Sequence, residues 1–169
     1  MKQATVARKS GGASKVHTVA AAHTAASDVA KSYDSQFTAF KAATIGLSTR
    51  ERIARLRHGI EAVHIVSVSD YLKVPREVVA QIIGMAPATM HRKIKSQAML
   101  SPSESERLER IAVIEAEAEH VFGNAEKAKT WLLRENMALG GTPLSMLDTE
   151  IGTGEVQRIL GAIAYGGVV

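Results

Sequence analysis

Two groups of residues have types and spacing suited to chemistry. The first is His91-Arg92-Lys93-Ile94-Lys95, a run of three fixed positive charges and an imidazole. Guanidinium and ammonium groups at this density pair with phosphate oxygens, so the run suits a polyanion. The second is Glu115, Glu117, Glu119 and His120. Glu115 and Glu119 share a helix face at i, i+4, but His120 points elsewhere. The group reads as an acidic, solvated helix face rather than a metal centre. His58 and His64 lie six residues apart and do not converge on one helix. The chain has no cysteine, which removes disulfides, thiolate metal sites and cysteine nucleophiles. It offers no Gly-rich phosphate loop and no Ser-His-Asp arrangement. The expectation is a binding protein that is not an enzyme, with no catalytic residue, no cofactor and no metal.

The charge map sharpens this. The net charge of +4 is unevenly spread. Residues 1–49 carry six Lys/Arg against two Asp/Glu, residues 50–100 nine against four, and residues 101–169 six against eleven. The segments therefore stand at +4, +5 and −5. A basic middle fits nucleic acid and an acidic last third does not. Chance segregation of surface charge is the plain alternative. Hydrophobic residues make up 46% of the chain and aromatics only 4%, so Ala, Leu, Ile and Val must build the core. No run approaches the roughly 18 to 20 apolar residues of a membrane helix. No apolar stretch follows the basic N-terminus as in a secretory signal. A reducing cytoplasmic location is expected.

The elements that must position these residues read as helices throughout. Ser48-Thr49-Arg50-Glu51 has capping-box spacing and starts a short basic helix ended by Gly59. A second helix is expected from Ile60 to Leu72, with Val63, Val66 and Tyr71 toward the core. A third starts at Pro75 and ends at Gly84, and a fourth spans Pro87 to Lys95. Ser101-Pro102-Ser103-Glu104 starts a long helix with the stripe Leu108, Ile111, Ile114, Ala118, Val121 and Phe122. Gly123 closes it, and Asn124 caps a helix from Ala125 to Arg134. Trp131, Met146 and Leu147 read as core. Thr142-Pro143 starts a short helix, and Gly152 separates it from a last helix, Thr153 to Ala164. The class is all-α.

Within residues 76–95, Ala80 is small where two helices cross and Gly84 falls four residues later in the turn. Val79, Ile83, Met85, Met90 and Ile94 occupy the positions that must pack. This spacing resembles the helix-turn-helix of the phage-repressor and Xre-like group. The resemblance implies that the second helix enters the DNA major groove by its N-terminal end. Ala88, Thr89, His91 and Arg92 are then candidates for base or phosphate contact, and Lys93 and Lys95 for phosphate. An ordinary helical hairpin with a basic solvated face is the alternative. Pro87 departs from the polar residues usual at such a helix start and removes one phosphate-binding N–H.

Farther along come Leu100 to Leu108, Val121-Phe122-Gly123, Ala128 to Leu132, Ala138 to Leu144, and Asp148 to Gly152. The chain closes with Val156, Leu160, Ile163 and Tyr165-Gly166. In this order the motifs resemble the toxin-binding domain of the Xre/MbcA/ParS antitoxins of Xre–RES toxin–antitoxin pairs. The likeness spans about residues 50–169. It implies an antitoxin that neutralises a RES-domain toxin, which consumes NAD or transfers its ADP-ribose. The antitoxin's C-terminal region would cover the toxin's active-site entrance, and its helix-turn-helix would bind operator DNA to repress the shared operon. Carried onto this chain, Tyr165, Gly166, Gly167, Val168 and Val169 form the covering end. The glycines admit a narrow backbone to a cleft, and Val168-Val169 add apolar burial. The alternative is a tip that folds back on its own domain.

The expected organisation is a basic Ala/Ser-rich arm over residues 1–46, a helix-turn-helix domain over 47–99 and a toxin-binding domain over 100–169. For the arm, a transit peptide, a DNA-lying segment and an inert tail all remain open. Expected partners are a RES-type toxin and operator DNA, with a homodimer because such readers bind paired half-sites. The second functional reading is a stand-alone helix-turn-helix repressor whose C-terminal domain oligomerises.

Overall fold

Two of the helices begin where a serine precedes a glutamate by three residues. The Ser48 hydroxyl accepts from the Glu51 N–H, and the Glu51 carboxylate accepts from the Ser48 N–H at 2.8 Å. Ser101 and Glu104 make the same reciprocal pair. Each satisfies two N–H groups that a helix start otherwise leaves orphaned.

The computed structural model describes residues 32–166. Residues 1–31 of the expected arm, and Gly167, Val168 and Val169 of the expected covering end, lie outside them. Among the described residues the architecture is all-α, as expected. The helices are α1 (residues 32–46), α2 (Thr49–His58), α3 (Val63–Leu72), α4 (Arg76–Ile82), α5 (Pro87–Lys95), α6 (Pro102–Phe122), α7 (Ala125–Leu133) and α8 (Glu150–Ala164). A 3-10 turn, Ser145–Asp148, stands between α7 and α8. No helix among the described residues is long and apolar enough to cross a membrane.

The central element is α6. It packs on α2, α4, α7, α8 and the 3-10 turn. Its buried stripe includes Leu108, Ile111, Ile114 and Ala118, with Val121 and Phe122 half-buried at its end. The hydrophobic cluster runs without a break from Phe37 to Leu160 and so crosses the boundary expected at residues 99/100.

The arm expected up to residue 46 is corrected by α1. Phe37 and Thr44 are fully buried, and Phe40 nearly so. The Phe37 ring lies 4.5 Å from that of Tyr71, and Phe40 stacks on His64 at the same distance. Two aromatics were too few to register as a core pattern among alanines and serines, yet they suffice to anchor four helical turns.

A second correction concerns the acidic group on α6. Glu115 is not solvated but completely buried. It accepts from the Lys41 ammonium at 2.5 Å and the Tyr71 hydroxyl at 2.6 Å. Lys41 also reaches Glu119 at 2.5 Å. Burial works to lower the Lys41 ammonium, but the two glutamates outweigh it and hold it above its usual value. Burial, then the bond to Glu115, pushes the Tyr71 hydroxyl up. One turn and a half earlier, Glu109 is buried between Arg52, at 2.7 Å, and Arg55, at 2.6 Å. Buried carboxylates require such partners.

His64 behaves differently. Burial lowers its basicity, the Glu61 charge works against this, and Arg55 adds to it. Its Nδ1 has no hydrogen-bond partner. The folded state therefore takes up its proton at lower pH than the unfolded chain, which protonates near the ordinary 6.5. Stability contributed by neutral His64 is present above that pH and is lost as pH falls below it. The unfolding free energy, measured by urea denaturation at each pH, should fall between about pH 7.5 and 5.5, by at most roughly 1.4 kcal/mol per pH unit. His64→Phe should flatten that dependence, and an equal slope in the variant would contradict the assignment.

Candidate functional site

The basic run sits on α5, whose position is set by α4. The two helices meet through Val79, Ala80, Ile83, Met85 and Met90, all buried, with Ile94 half-buried against the same cluster. Gly84 turns the chain between them at φ +74°, a conformation that side chains with a Cβ rarely adopt. A Cβ there would also fall 2.1 Å from an Arg107 guanidinium nitrogen. The helix-turn-helix packing is therefore as the spacing requires, except that α4 ends at Ile82 with Ile83 as its cap.

On α5, Ala88, His91, Arg92 and Lys95 are exposed and Thr89 is half-exposed. These form one outward face, flanked by Met90 pointing inward. His91 lies 3.7 Å from Glu77 at the start of α4. Lys93 departs from the expectation of a free phosphate contact. Its ammonium lies 2.6 Å from Glu104, and its side chain is only 19% exposed. Position 93 falls on the flank of α5 facing α6, not on the outward face. Sequence reasoning read Glu104 only as a helix cap and missed this second bond, because nothing local ties residue 93 to residue 104.

The other functional end is that of α8. This helix is set by the 3-10 turn before it, not by a separator at Gly152. Thr149 caps α8, and its hydroxyl accepts from the Gly152 N–H at 3.1 Å. Gly152 lies inside the first turn and is buried, with a Cβ position 2.3 Å from the Met146 carbonyl oxygen. The turn is held in place by Leu147, fully buried, and by Arg110, which donates to the Leu147 carbonyl at 3.2 Å. Pro143 precedes it, so the short helix expected from Thr142-Pro143 appears two residues later. Trp131 is half-buried and packs on Phe122 at 5.6 Å.

From this base α8 buries Val156, Ile159 and Leu160. Its last residues do the opposite. Ile163 is partly exposed, and Tyr165 is 93% exposed. Gly166 is exposed too. The alternative of a tip folded onto its own core is thus excluded for Tyr165 and Gly166. Beside this end lies a groove of about 450 Å³ between α6 and α8. Ile45, Val121, Leu160 and Gly161 supply its apolar lining. The two sites stand at opposite ends of α6: α5 is tied to Glu104, and the groove begins at Ala116 and reaches Val121. At about 1.5 Å per residue that separation is roughly 20–25 Å. No cluster of metal-ligating side chains occurs among the described residues.

Comparison with known proteins finds two matching domains along the chain. The model of the antitoxin Xre-like helix-turn-helix domain matches residues 51–113. That of the antitoxin Xre/MbcA/ParS C-terminal toxin-binding domain matches residues 117–166. The chain belongs to the Xre/MbcA/ParS antitoxin family. The junction of the two matches falls inside α6, so in this family member one helix serves both halves. Antitoxin Xre of Pseudomonas putida KT2440 is 44% identical over 79 residues, 46% of this chain and 50% of that protein. The chain thus spans half the length of that relative. Antitoxin Xre of Photorhabdus laumondii is 28% identical over 115 residues, 67% of this chain and 78% of that protein. A protein named Prs ADP-ribosylating antitoxin, from Sphingobium strain YBL2, is 28% identical over 126 residues, covering 69% and 79%.

The packing of α8 gives a direct check. Gly152→Ala should destabilise the protein by about 1–3 kcal/mol, since its Cβ meets backbone rather than a movable side chain. Urea denaturation measures this, and an unchanged midpoint would mean that the turn–α8 contact is looser than described.

Proposed function

We propose that the protein is the antitoxin of a type II toxin–antitoxin pair with two separable binding surfaces. The C-terminal end of α8 covers the active site of a RES-domain, NAD-consuming toxin, and the outward face of α5 binds operator DNA to autoregulate the operon. Both events belong in the bacterial cytoplasm. The chain itself acts by occlusion and recognition, not by catalysis.

The observation that carries this reading is the exposed apolar end of α8. Isolated exposed apolar residues are ordinary, but Ile163 and Tyr165 stand exposed together at the end of a packed helix, within about a turn of Leu160 and Gly161, which line the groove. Tyrosine on such a surface combines a large apolar ring with a hydroxyl, the profile of an interface anchor. The family match to a toxin-binding domain ends at residue 166, immediately after it. Gly167, Val168 and Val169 are assigned to the covering end in this proposal. Support for DNA binding comes from the α5 face, where Arg92 and Lys95 form no ion pair among the described residues and stay open for phosphate or base edges. A homodimer would present two such helices to paired half-sites.

Tyr165→Ala, or removal of Gly166 to Val169, should weaken the complex with a co-expressed RES-type toxin by tenfold or more, on the order of an interface anchor. Cells carrying that pair should lose protection. Full protection by both variants would remove the covering role from this end. If no tight stoichiometric partner is captured at all, the stand-alone repressor reading takes its place.

Arg92→Ala should weaken operator binding and lower the slope of log affinity against log salt by about one. Gel-shift titration at several salt concentrations measures both. Unchanged affinity and slope would take α5 out of the DNA interface.

A further inference from the structure

One carboxylate oxygen in this protein serves two helices. Glu104 Oε2 accepts from the Ser101 N–H at 2.7 Å and so closes the first turn of α6. The same oxygen lies 2.6 Å from the Lys93 ammonium on α5. Both side chains are mostly shielded, at 19% and 17% exposure. Partial burial works to raise the Glu104 carboxyl, but Lys93, the Ser101 N–H and the Ser101 hydroxyl outweigh it and hold it below its usual value. One turn along α6, Arg107 donates to the Ile83 carbonyl at 3.3 Å, on the other side of the turn between α4 and α5. Two charged positions one turn apart on α6 therefore grip the helix-turn-helix from behind.

This differs from the rest of the basic run. Arg92 and Lys95 lie on the outward face of α5 and form no ion pair among the described residues. Lys93 lies on the flank facing α6. We infer that Lys93 and Glu104 are positioning residues, which fix the angle at which α5 meets operator DNA, and that Lys93 acts on DNA through Glu104 rather than by touching phosphate. The inference rests on the operator-binding reading of α5. It makes the first turn of α6, within the helix-turn-helix match, part of DNA recognition, on the same helix whose far end enters the toxin-binding match.

A double-mutant cycle tests it in the full-length chain. Glu104→Gln removes the charge but keeps a residue that serves a capping box. Lys93→Met removes the ammonium and keeps the stem. Operator affinity is measured for the wild type, both single variants and the double variant across a salt series, with the folded fraction of each fixed by circular dichroism. Each single variant should bind operator about three- to tenfold more weakly, and the double variant no more weakly than either, as for two residues acting through one contact. The salt slope should stay at the wild-type value. Glu104→Gln should also bind unrelated DNA of the same length at least as well as the wild type, since it adds net positive charge, while its operator binding falls. A uniform loss from misfolding would not produce that split.

The opposite pattern overturns the inference. If Lys93 touches phosphate, Lys93→Met lowers the slope by about one, and Glu104→Gln leaves operator binding unchanged or tighter by releasing the lysine. If the wild type binds operator and Arg92→Ala weakens it, yet the two single effects simply add, the positioning pair alone fails. If the wild type binds no operator, the underlying reading fails and the pair with it.

Discussion

The fold depends on two carboxylates that have almost no access to water. Glu109 and Glu115 sit on α6 in the middle of the protein, and a buried carboxylate without partners costs several kcal/mol. Each therefore dictates its neighbours. Glu109 takes Arg52 and Arg55 from α2, and Glu115 takes Lys41 from α1 and Tyr71 from α3. Arg55 then reaches the Thr44 hydroxyl and lies over the Phe40 ring, which ties α1 and α2 to each other. The net stabilisation from such pairs is small. Their weight falls on wrong arrangements, each of which would strand a charge in the core. The first three helices thus have one way to sit on α6.

With α6 fixed from that side, its two ends are free to carry different surfaces. The first turn holds α5 through Glu104 and the turn before it through Arg107. The last turns carry the groove and the end of α8, with Glu117 accepting from the Gln157 amide at 2.9 Å between them. Binding by occlusion and binding to DNA need no shared residue in this layout. They do share a scaffold, and the family match to two domains meets within that helix. The direct packing of α4 on the 3-10 turn adds a second connection between the halves.

The helix-turn-helix was legible because its constraints are local. Ala80, Gly84 and five apolar positions fall within twenty residues, and each has a steric reason for its place. The end of α8 stood out as an apolar run after a patterned helix, but its sequence left open whether it packs on its own domain or is exposed. What was not legible depends on distant partners. Glu115 looked solvated because its partner, Lys41, lies 74 positions away. In α1 the buried side is only Phe37, Phe40, Lys41 and Thr44, so its composition resembles a tail. Gly152 read as a break, although it is the point where α8 touches the backbone of the turn. Lys93 shared its neighbours' charge but not their direction, which only the helix packing fixes.

The central claim is that partner and DNA engage opposite ends of one rigid helical body. Amide hydrogen exchange of the chain, alone and in complex with a RES-type toxin, addresses it most directly. Toxin should slow exchange in the last turns of α8, from Leu160 to Gly166, and leave the amides of α5 at their free rates. Slowing confined to α5, with the end of α8 unchanged, would contradict the account.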